Sequence, residues 1–150
     1  MAEFAIVAGI FFMIIFGIIE FGRLLYTHNA LTDAARRAAR YAVLHPEGAL
    51  CVKNVAVYGE THIDPNTCAP TGPPLINGLT PDNVIVQYDG VVLPGETDPT
   101  VYGMNLGTAT VTIQNYTFNL GIPFFYRTLT MPAYTTTLTA ESAGTEPDPI

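Results

Sequence analysis

The sequence predicts an α+β protein in which a long N-terminal hydrophobic helix, about residues 3–44, carries a small antiparallel β-sheet domain packed on its C-terminal half. Three observations support this. The chain begins with an uncharged apolar run, an alanine-rich stretch with helical spacing follows, and the remainder alternates as strands do, between loops rich in Pro and Gly. We therefore divide the chain into a helix at 1–44, a β-rich domain at 45–141 and a flexible tail at 142–150.

The apolar run, residues 4–19, reads FAIVAGIFFMIIFGII and contains no charged side chain. As a helix it is about 24 Å long at roughly 1.5 Å per residue, and a bilayer core needs about 20 apolar residues. The apolar residues among 21–26 make the segment long enough to span, with Glu20 and Arg23 one turn apart and able to pair. The chain therefore begins with a membrane anchor or with a helix buried among copies of itself.

Small residues recur along one face of this run. Ala5, Gly9, Met13 and Gly17 share a four-residue spacing, and the Ala5–Gly9 pair lets two helix backbones approach closely. Because glycine costs about 1 kcal/mol relative to alanine inside a helix, its presence indicates tight packing or local bending. The alternative, that glycine is simply more frequent in membrane helices, stays open.

Glu3, immediately before Phe4, is the most unusual residue of the segment. A carboxylate at the edge of a hydrocarbon layer is costly unless it is paired or solvated. In one interpretation Glu3 lies among lipid headgroups and favours the positive end of the helix dipole. In the other it meets a cation from another subunit, for which a free α-amino group is the obvious candidate.

Residues 20–44 predict an amphipathic continuation of the same helix, because apolar residues recur there at spacings of three and four. Pro46 and Gly48 are expected to end it. We interpret His28 as a packing residue with one hydrogen-bonded nitrogen rather than as a metal ligand. The predicted apolar stripe consists of Phe21, Leu24, Leu25, His28, Leu31, Ala35, Ala38, Ala39 and Ala42.

The distal part predicts strands separated by loops. Prolines make 60–78 a loop, and 93–107 is a loop rich in Pro, Gly and Thr. Strands without intervening helices predict an antiparallel sheet with one face on the helix. The predicted strands are 52–58, 83–89, 108–119 and 128–139, the last interrupted at Pro132.

The two cysteines, Cys51 and Cys68, lie in the distal part with a short loop between them and without a CxxC motif. We interpret them as a disulfide, which fits an exported domain and would stabilise it by about 3 kcal/mol through loop closure. Two free thiols buried in a cytosolic core are the alternative.

Charge and motifs exclude several classes of function. From Tyr41 onward two bases stand against ten acids, a net charge of about −8, and nucleic acid requires a basic surface. The sequence contains no P-loop, dinucleotide fingerprint, nucleophile elbow or zinc motif. We therefore expect no nucleic-acid partner, no enzymatic activity, no cofactor and no metal.

The distribution of basic residues conflicts with the expectation that the distal domain is exported. No Lys or Arg precedes the apolar run, whereas Arg23, Arg36 and Arg37 follow it. The positive-inside rule would then place the distal domain in the cytoplasm. One resolution is a basic leader before Met1 that has been removed by a cut ahead of the apolar region.

The stretch AEFAIVAGIFFMIIFGIIEFGRLLYTHNALTDAARRAARYAV resembles the N-terminal region of TadE-like and TadG-like pilins of tight-adherence (Tad) pili. The shared pattern is the opening EFA, a run of large apolar residues, IIEFGR, a tyrosine, NAL and AARRAAR. It covers about forty residues, and the distal part resembles the family only loosely.

The resemblance implies that a prepilin peptidase removes a basic leader on the cytoplasmic side. Met1 would then lie at or near the processed N-terminus, and Glu3 would help to align an incoming subunit. In the family a proline is common six residues after that glutamate, where this chain has Gly9. Either residue loosens a helix.

These features predict a structural pilin subunit that polymerises through its N-terminal helix into an extracellular, type IV-like filament, with the β domain outside for adhesion or surface attachment. Before assembly we expect it in the inner membrane, with the prepilin peptidase and the pilus assembly machinery as partners. The alternative is a membrane-anchored minor pilin or secretion-system component whose β domain binds a ligand without forming the filament. The residues assigned to assembly are Glu3, Phe4, Ala5, Gly9, Gly17, Glu20 and Arg23.

Overall fold

The structure, a computed structural model, describes residues 2–45, 49–64, 66–89, 108–122 and 125–139. The expected helix end at Pro46 and Gly48, the loop at 93–107 and the tail at 142–150 lie outside these residues. The described elements are helices α1 (Ala2–Leu44) and α2 (Ala49–Tyr58), and strands β1 (Val84–Asp89), β2 (Thr108–Ile113), β3 (Thr117–Ile122), β4 (Phe125–Thr130) and β5 (Tyr134–Thr139).

Helix α1 confirms the central prediction of the sequence. It runs without interruption over 43 residues, because no proline occurs within it and its second half is rich in alanine, the strongest helix former. Small antiparallel sheets pack against its C-terminal half, so the α+β class is also confirmed.

The strands form two antiparallel sheets instead of one. Strand β2 lies in the centre of a three-stranded sheet of order β1–β2–β5, while β3 and β4 form a separate hairpin. Val84 pairs with Ile113 and Ile113 with Tyr134, and all three are buried on the face turned to the helices. The other face carries threonines, such as Thr110 and Thr137, whose hydroxyls lie 2.9 Å apart.

The hydrophobic core lies where α1 meets α2 and the three-stranded sheet. Small side chains on α1 let its backbone approach these elements closely, and packing at such contacts is dense. Opposite them lie Val52, Val111 and Ile113, all fully buried. The alanines of this contact, here called the alanine surface, are at most 1% exposed: Ala34, Ala35, Ala38, Ala39 and Ala42.

The predicted strand at 52–58 is wrong, because these residues belong to helix α2. Its valines favour strands by intrinsic propensity, but Val52, Val55 and Ala56 are fully buried and follow the helical spacing of three and four. Burial on α1 and β1 therefore outweighs the β-propensity of the valines.

The predicted single strands at 108–119 and 128–139 are each two strands. The first is broken between β2 and β3, where Asn115 has a φ of 58°, a left-handed conformation that asparagine tolerates better than most residues. The side-chain amide of Asn83 donates to the carbonyl oxygens of Gln114 (3.1 Å) and Asn115 (3.2 Å) and holds this break. The second is interrupted around Pro132, as predicted.

The predicted apolar stripe is correct from Leu31 onward and wrong at its beginning. Phe21 and Leu25 are 59% and 48% exposed, whereas Glu20 and Thr27 are buried. The buried face therefore starts on a different side of the helix from the predicted one. His28 is exposed, so it is not part of the buried stripe, but it has the expected bonded nitrogen: its Nδ1 lies 2.7 Å from the Tyr134 hydroxyl, and the two rings are in contact.

A disulfide joins Cys51 and Cys68, as the sequence predicts. It ties the first turn of α2 to the loop before β1, with the two Cα atoms 4.9 Å apart. The side-chain amide of Asn54 supports the same loop by donating to the Cys68 carbonyl oxygen at 2.7 Å. The disulfide therefore fixes the distal end of the domain, far along the chain from the apolar run.

Candidate assembly surface

Residues 4–19, here called the apolar rod, are exposed on almost every side. Ala8, Ile15 and Gly17 are half-buried and the other residues of the rod are exposed. Eleven of its large apolar side chains are exposed, from 42% at Phe16 to 79% at Phe4. Among the described residues, α1 is the one helix long and apolar enough to cross a membrane.

Removing these side chains from water would release a large free energy. Burying one Val, Leu, Ile or Phe side chain contributes about 1.5–3 kcal/mol, so the exposed side chains of the rod represent on the order of 20 kcal/mol. A folded domain is stable by about 5–15 kcal/mol. The rod therefore requires an apolar environment that the rest of the described chain does not provide.

The two glycines of the rod leave open notches in its surface. Apart from its own turn of helix, a methyl group added to Gly9 or Gly17 would meet no atom within 4 Å. Ala5 lies on the same face, and it is exposed too. No contact with a described residue requires these positions to be small. A requirement for small residues would therefore come from a partner helix or from lipid.

Glu3 stands at the start of α1 and is exposed. It has no hydrogen bond or ion pair with a described residue, and Met1 lies outside those residues. The structure therefore leaves both interpretations of Glu3 open.

Glu20 and Arg23 link the rod to the hairpin. They form the predicted ion pair, with Arg23 Nη1 2.7 Å from Glu20 Oε1. Arg23 also donates to the Asn119 carbonyl oxygen at 3.2 Å, and its guanidinium lies 4.9 Å from the centroid of the Phe118 ring. A methyl group on Gly121 would lie 3.8 Å from Glu20 Oε1. Strand β3 is thus held against α1 at the end of the rod.

The sequence did not predict this contact with the hairpin. The sequence pattern makes Phe118 and Asn119 ordinary members of a strand, and no local signal marks their contact with Arg23, which is about 96 residues away in the chain. Glu20 is 7% exposed, and its second oxygen, Oε2, is buried without a described partner. The Glu20 carboxylate is therefore sheltered, and its partner Arg23, on the same helix, makes the contact with β3.

A cleft of about 620 Å³ opens beside this link and is lined by α1, β3 and the loop at 75–78. Its polar groups serve the fold: the Tyr116 hydroxyl donates to the Asn77 carbonyl oxygen at 2.8 Å, and Thr27 donates to the Arg23 carbonyl oxygen at 2.9 Å. Burial raises the pKa of Tyr116, although the nearby Arg23 opposes this shift. No carboxylate, histidine or cysteine is among the described residues that line the cleft.

Within the described ranges, no three His, Cys, Asp or Glu side chains come together as metal ligands. The expectation that the protein uses no metal or cofactor stays a prediction. The residues assigned to assembly divide into two groups in the structure: Glu3 to Gly17 lie along the free helix, and Glu20 and Arg23 lie under the hairpin.

The family model described as TadE-like protein matches residues 1–40. This confirms the resemblance for the N-terminal region, and the matched part contains the apolar rod and most of the alanine surface. No curated protein and no solved structure matches the chain. The family is pilin-related, which favours a role in or beside a Tad pilus.

Proposed function

We propose that this chain is a structural pilin subunit. Its apolar rod lies in the inner membrane before assembly and among the rods of neighbouring subunits in an extracellular filament afterwards. The β-rich domain forms the outer surface, which serves adhesion or attachment. A prepilin peptidase prepares the N-terminus, and the pilus assembly machinery extracts the subunit from the bilayer.

The observation that carries the proposal is the exposure of the rod on a helix whose second half buries its alanine surface to 1% exposure or less. Lipid and a bundle of sibling helices are equally apolar, so the hydrophobic effect alone does not choose between them. Two features favour siblings. The open notches at Gly9 and Gly17 suit close helix approach, and Glu3 lacks a described cation that a second chain could supply.

Substitution of Glu3 is the most direct test of the proposed assembly, because a carboxylate in the membrane carries a known energetic cost. A carboxylate in the hydrocarbon costs about 2.5–3.5 kcal/mol at the centre of a helix and less at the edge. A neighbour's α-amino group would offset that cost and fix the axial position of the incoming subunit. Glu3→Ala should therefore leave the protein folded and inserted, while filament yield in electron micrographs falls strongly.

The matched control is Glu60→Ala, which removes the same charge from an exposed position outside α1. It should leave filament yield unchanged. Normal filament yield from Glu3→Ala would remove the proposed role of this residue, and loss of membrane insertion would show a defect before assembly.

The second candidate is a minor pilin or secretion component that stays in the membrane and binds a ligand through its β domain. The match to the TadE-like description favours it as much as a major subunit. Electron microscopy of native material distinguishes them. A fibre with a regular axial repeat supports the filament subunit, and isolated particles in detergent support the minor component.

A further inference from the structure

The β3–β4 hairpin lies at the level of α1 where a membrane span would end. The rod covers about 24 Å at roughly 1.5 Å per residue, which is shorter than the hydrocarbon core of about 30 Å. About four further residues are needed, and they bring the core edge to Arg23. The contact of Gly121 with Glu20 falls inside this stretch. The hairpin therefore reaches the bilayer surface whenever the rod spans.

Both faces of strand β4 have the composition of an interfacial surface, because neighbouring residues of a strand, such as Tyr126 and Arg127, point to opposite faces. Tyr126 is 83% exposed and Leu129 is 47% exposed. Residues 117–130 read TFNLGIPFFYRTLT, with Arg127 as the one charge. Tyrosine and arginine are favoured at the boundary between lipid and water, where an apolar stem and a polar end are both accommodated.

Charge complementarity indicates which end of the distal domain would face an anionic membrane. Arg127 is one of two basic residues after Arg40, in a part of the chain with ten acids. It is exposed and forms no ion pair with a described residue. A basic side chain near an anionic bilayer gains about 1 kcal/mol. The membrane-proximal end of an otherwise acidic domain thus carries a positive charge.

The hydrogen-bonding needs of the backbone limit how deeply the hairpin can enter the bilayer. Within the described residues β4 pairs only with β3, so its outer edge presents unpaired N–H and C=O groups. Such groups cost several kcal/mol each in hydrocarbon. In the headgroup layer, water and phosphate oxygens can satisfy them. The favourable position of the hairpin is therefore the headgroup layer, and not the acyl chains.

We infer that the β3–β4 hairpin rests in the headgroup layer of an anionic phospholipid bilayer, with Tyr126 and Arg127 in contact with lipid. This inference depends on the membrane-inserted stage of the proposed function. The Glu20–Arg23 link then sets how far α1 emerges from the membrane, because it fixes the hairpin at one position along the helix.

The absence of tryptophan from the chain permits a direct test. Three full-length variants, Tyr126→Trp, Leu50→Trp and Phe16→Trp, each carry one tryptophan. They are reconstituted in two sets of anionic vesicles, one containing lipid brominated near the headgroup and the other lipid brominated deep in the acyl chains. Leu50 is the matched control, since it is 62% exposed but lies on α2 beyond the far end of α1. Phe16 reports on the rod itself.

With bromine near the headgroup, we expect severalfold stronger quenching for Tyr126→Trp than for Leu50→Trp. With bromine deep in the acyl chains, we expect quenching of Phe16→Trp. Quenching of Phe16→Trp without quenching of Tyr126→Trp would overturn the inference while leaving the membrane stage intact. No quenching of Phe16→Trp would instead refute the membrane stage. If Tyr126→Trp changes its emission only in assembled, lipid-free fibres, the hairpin contacts a neighbouring subunit and the lipid inference is wrong.

A second pair of variants tests whether the positive charge of Arg127 contributes to the contact with anionic lipid. In the Tyr126→Trp background, Arg127→Gln should remove the extra quenching seen in anionic vesicles relative to neutral ones. Lys53→Gln removes the other distal base, on α2, and should leave that difference unchanged. An equal response of both variants, or no response to Arg127→Gln, would contradict a specific contact between Arg127 and lipid phosphate.

Discussion

The two halves of α1 share one continuous backbone and present opposite surfaces. The first half carries Phe, Ile and Met on all sides and exposes them, whereas the second half buries the alanine surface to 1% exposure or less. Small side chains permit close contact with a partner already in the chain. Large ones leave apolar area exposed, which the proposed function assigns to a partner outside the chain. Side-chain size, more than hydrophobicity, distinguishes the internal contact from the external one.

The difference has a consequence for stability. The fold of the distal domain depends on the second half of α1, the disulfide and the sheets, and the rod makes little contact with them. Changes in the rod should therefore alter insertion or assembly at constant domain stability. Changes at the alanine surface should do the reverse.

The largest expected effect is loss of the disulfide. Cys51 and Cys68 are 17 residues apart, and a closed loop of this size stabilises by about 3 kcal/mol. The double variant Cys51→Ser, Cys68→Ser should lower the free energy of unfolding by about that amount. Guanidinium denaturation of the full chain in detergent, followed by near-ultraviolet circular dichroism of the tyrosines, measures it.

Insertion of the rod should not change in the same variant, because α2 lies at the other end of α1. In the native protein both cysteines should resist alkylation until they are reduced. Two freely labelled thiols in unreduced protein would contradict the disulfide, and a parallel loss of insertion would contradict the separation of the two halves.

The next effect compares one enlargement at two positions on the same helix. Ala38→Leu adds atoms to a site with no exposed surface, and overpacking costs about 1–3 kcal/mol. Gly17→Leu adds them at a position where an added Cβ atom would meet no other part of the chain within 4 Å, so the free energy of unfolding of the domain should not fall. The same denaturation experiment measures both.

Fibre assembly should be affected more by Gly17→Leu than by Ala38→Leu, the reverse of the order for stability. A leucine at position 17 fills a notch that is proposed to receive a neighbouring helix. Gly17→Leu is expected to reduce fibre yield, while any fibres from Ala38→Leu keep the native repeat. Equal destabilisation by the two variants would show that the rod packs on its own domain. Unchanged fibres from Gly17→Leu would show that the notch is not used.

The sequence predicted α1 well because its signal is long and internally consistent. Apolar composition, alanine content and the absence of proline all favour the same helix, and the bounds differ by one residue at the start. The strand at 83–89 was also predicted to within one residue. Both elements have local patterns that agree with their tertiary environment.

The errors occur where local pattern and tertiary environment disagree. Helix α2 is rich in valine, but its helical conformation follows from burial on several sides, which one short segment does not reveal. The break at Asn115 depends on hydrogen bonds from Asn83, which is 32 residues away. The link from Arg23 to Asn119 spans 96 residues. Contacts of this kind have no local signature.

The candidate site follows the same rule. The rod and Glu3 are visible in the sequence because a long uncharged run preceded by an acid is a local pattern. The hairpin beside Glu20 is not visible, because its place depends on how β3 packs on α1. Among the described residues nothing covers the rod, so neither the local pattern nor the described fold identifies a partner for it.

The smallest expected effect is on pH dependence: acid should change the stability of the distal domain through Asp64 without changing insertion of the rod. The pKa of Asp64 is lowered, first by the backbone N–H of Asn66, which donates to its carboxylate at 2.9 Å, and then by the Thr67 hydroxyl. Asp64 lies in the loop that the disulfide closes. Because the folded state favours the ionised form, this contribution is fully present above the ordinary pKa of about 3.9 and is lost as the pH falls through the lowered value.

Asp64→Asn should therefore flatten part of the decline in domain stability below about pH 4, and it should not change quenching of a tryptophan in the rod. Asp82→Asn is the matched control, since Asp82 is an exposed acid outside that loop. Denaturation midpoints measured across the acid range decide the question. Identical acid profiles for the native protein and Asp64→Asn would show that ionisation of Asp64 does not stabilise the loop, which the disulfide and the Asn54 hydrogen bond would then hold.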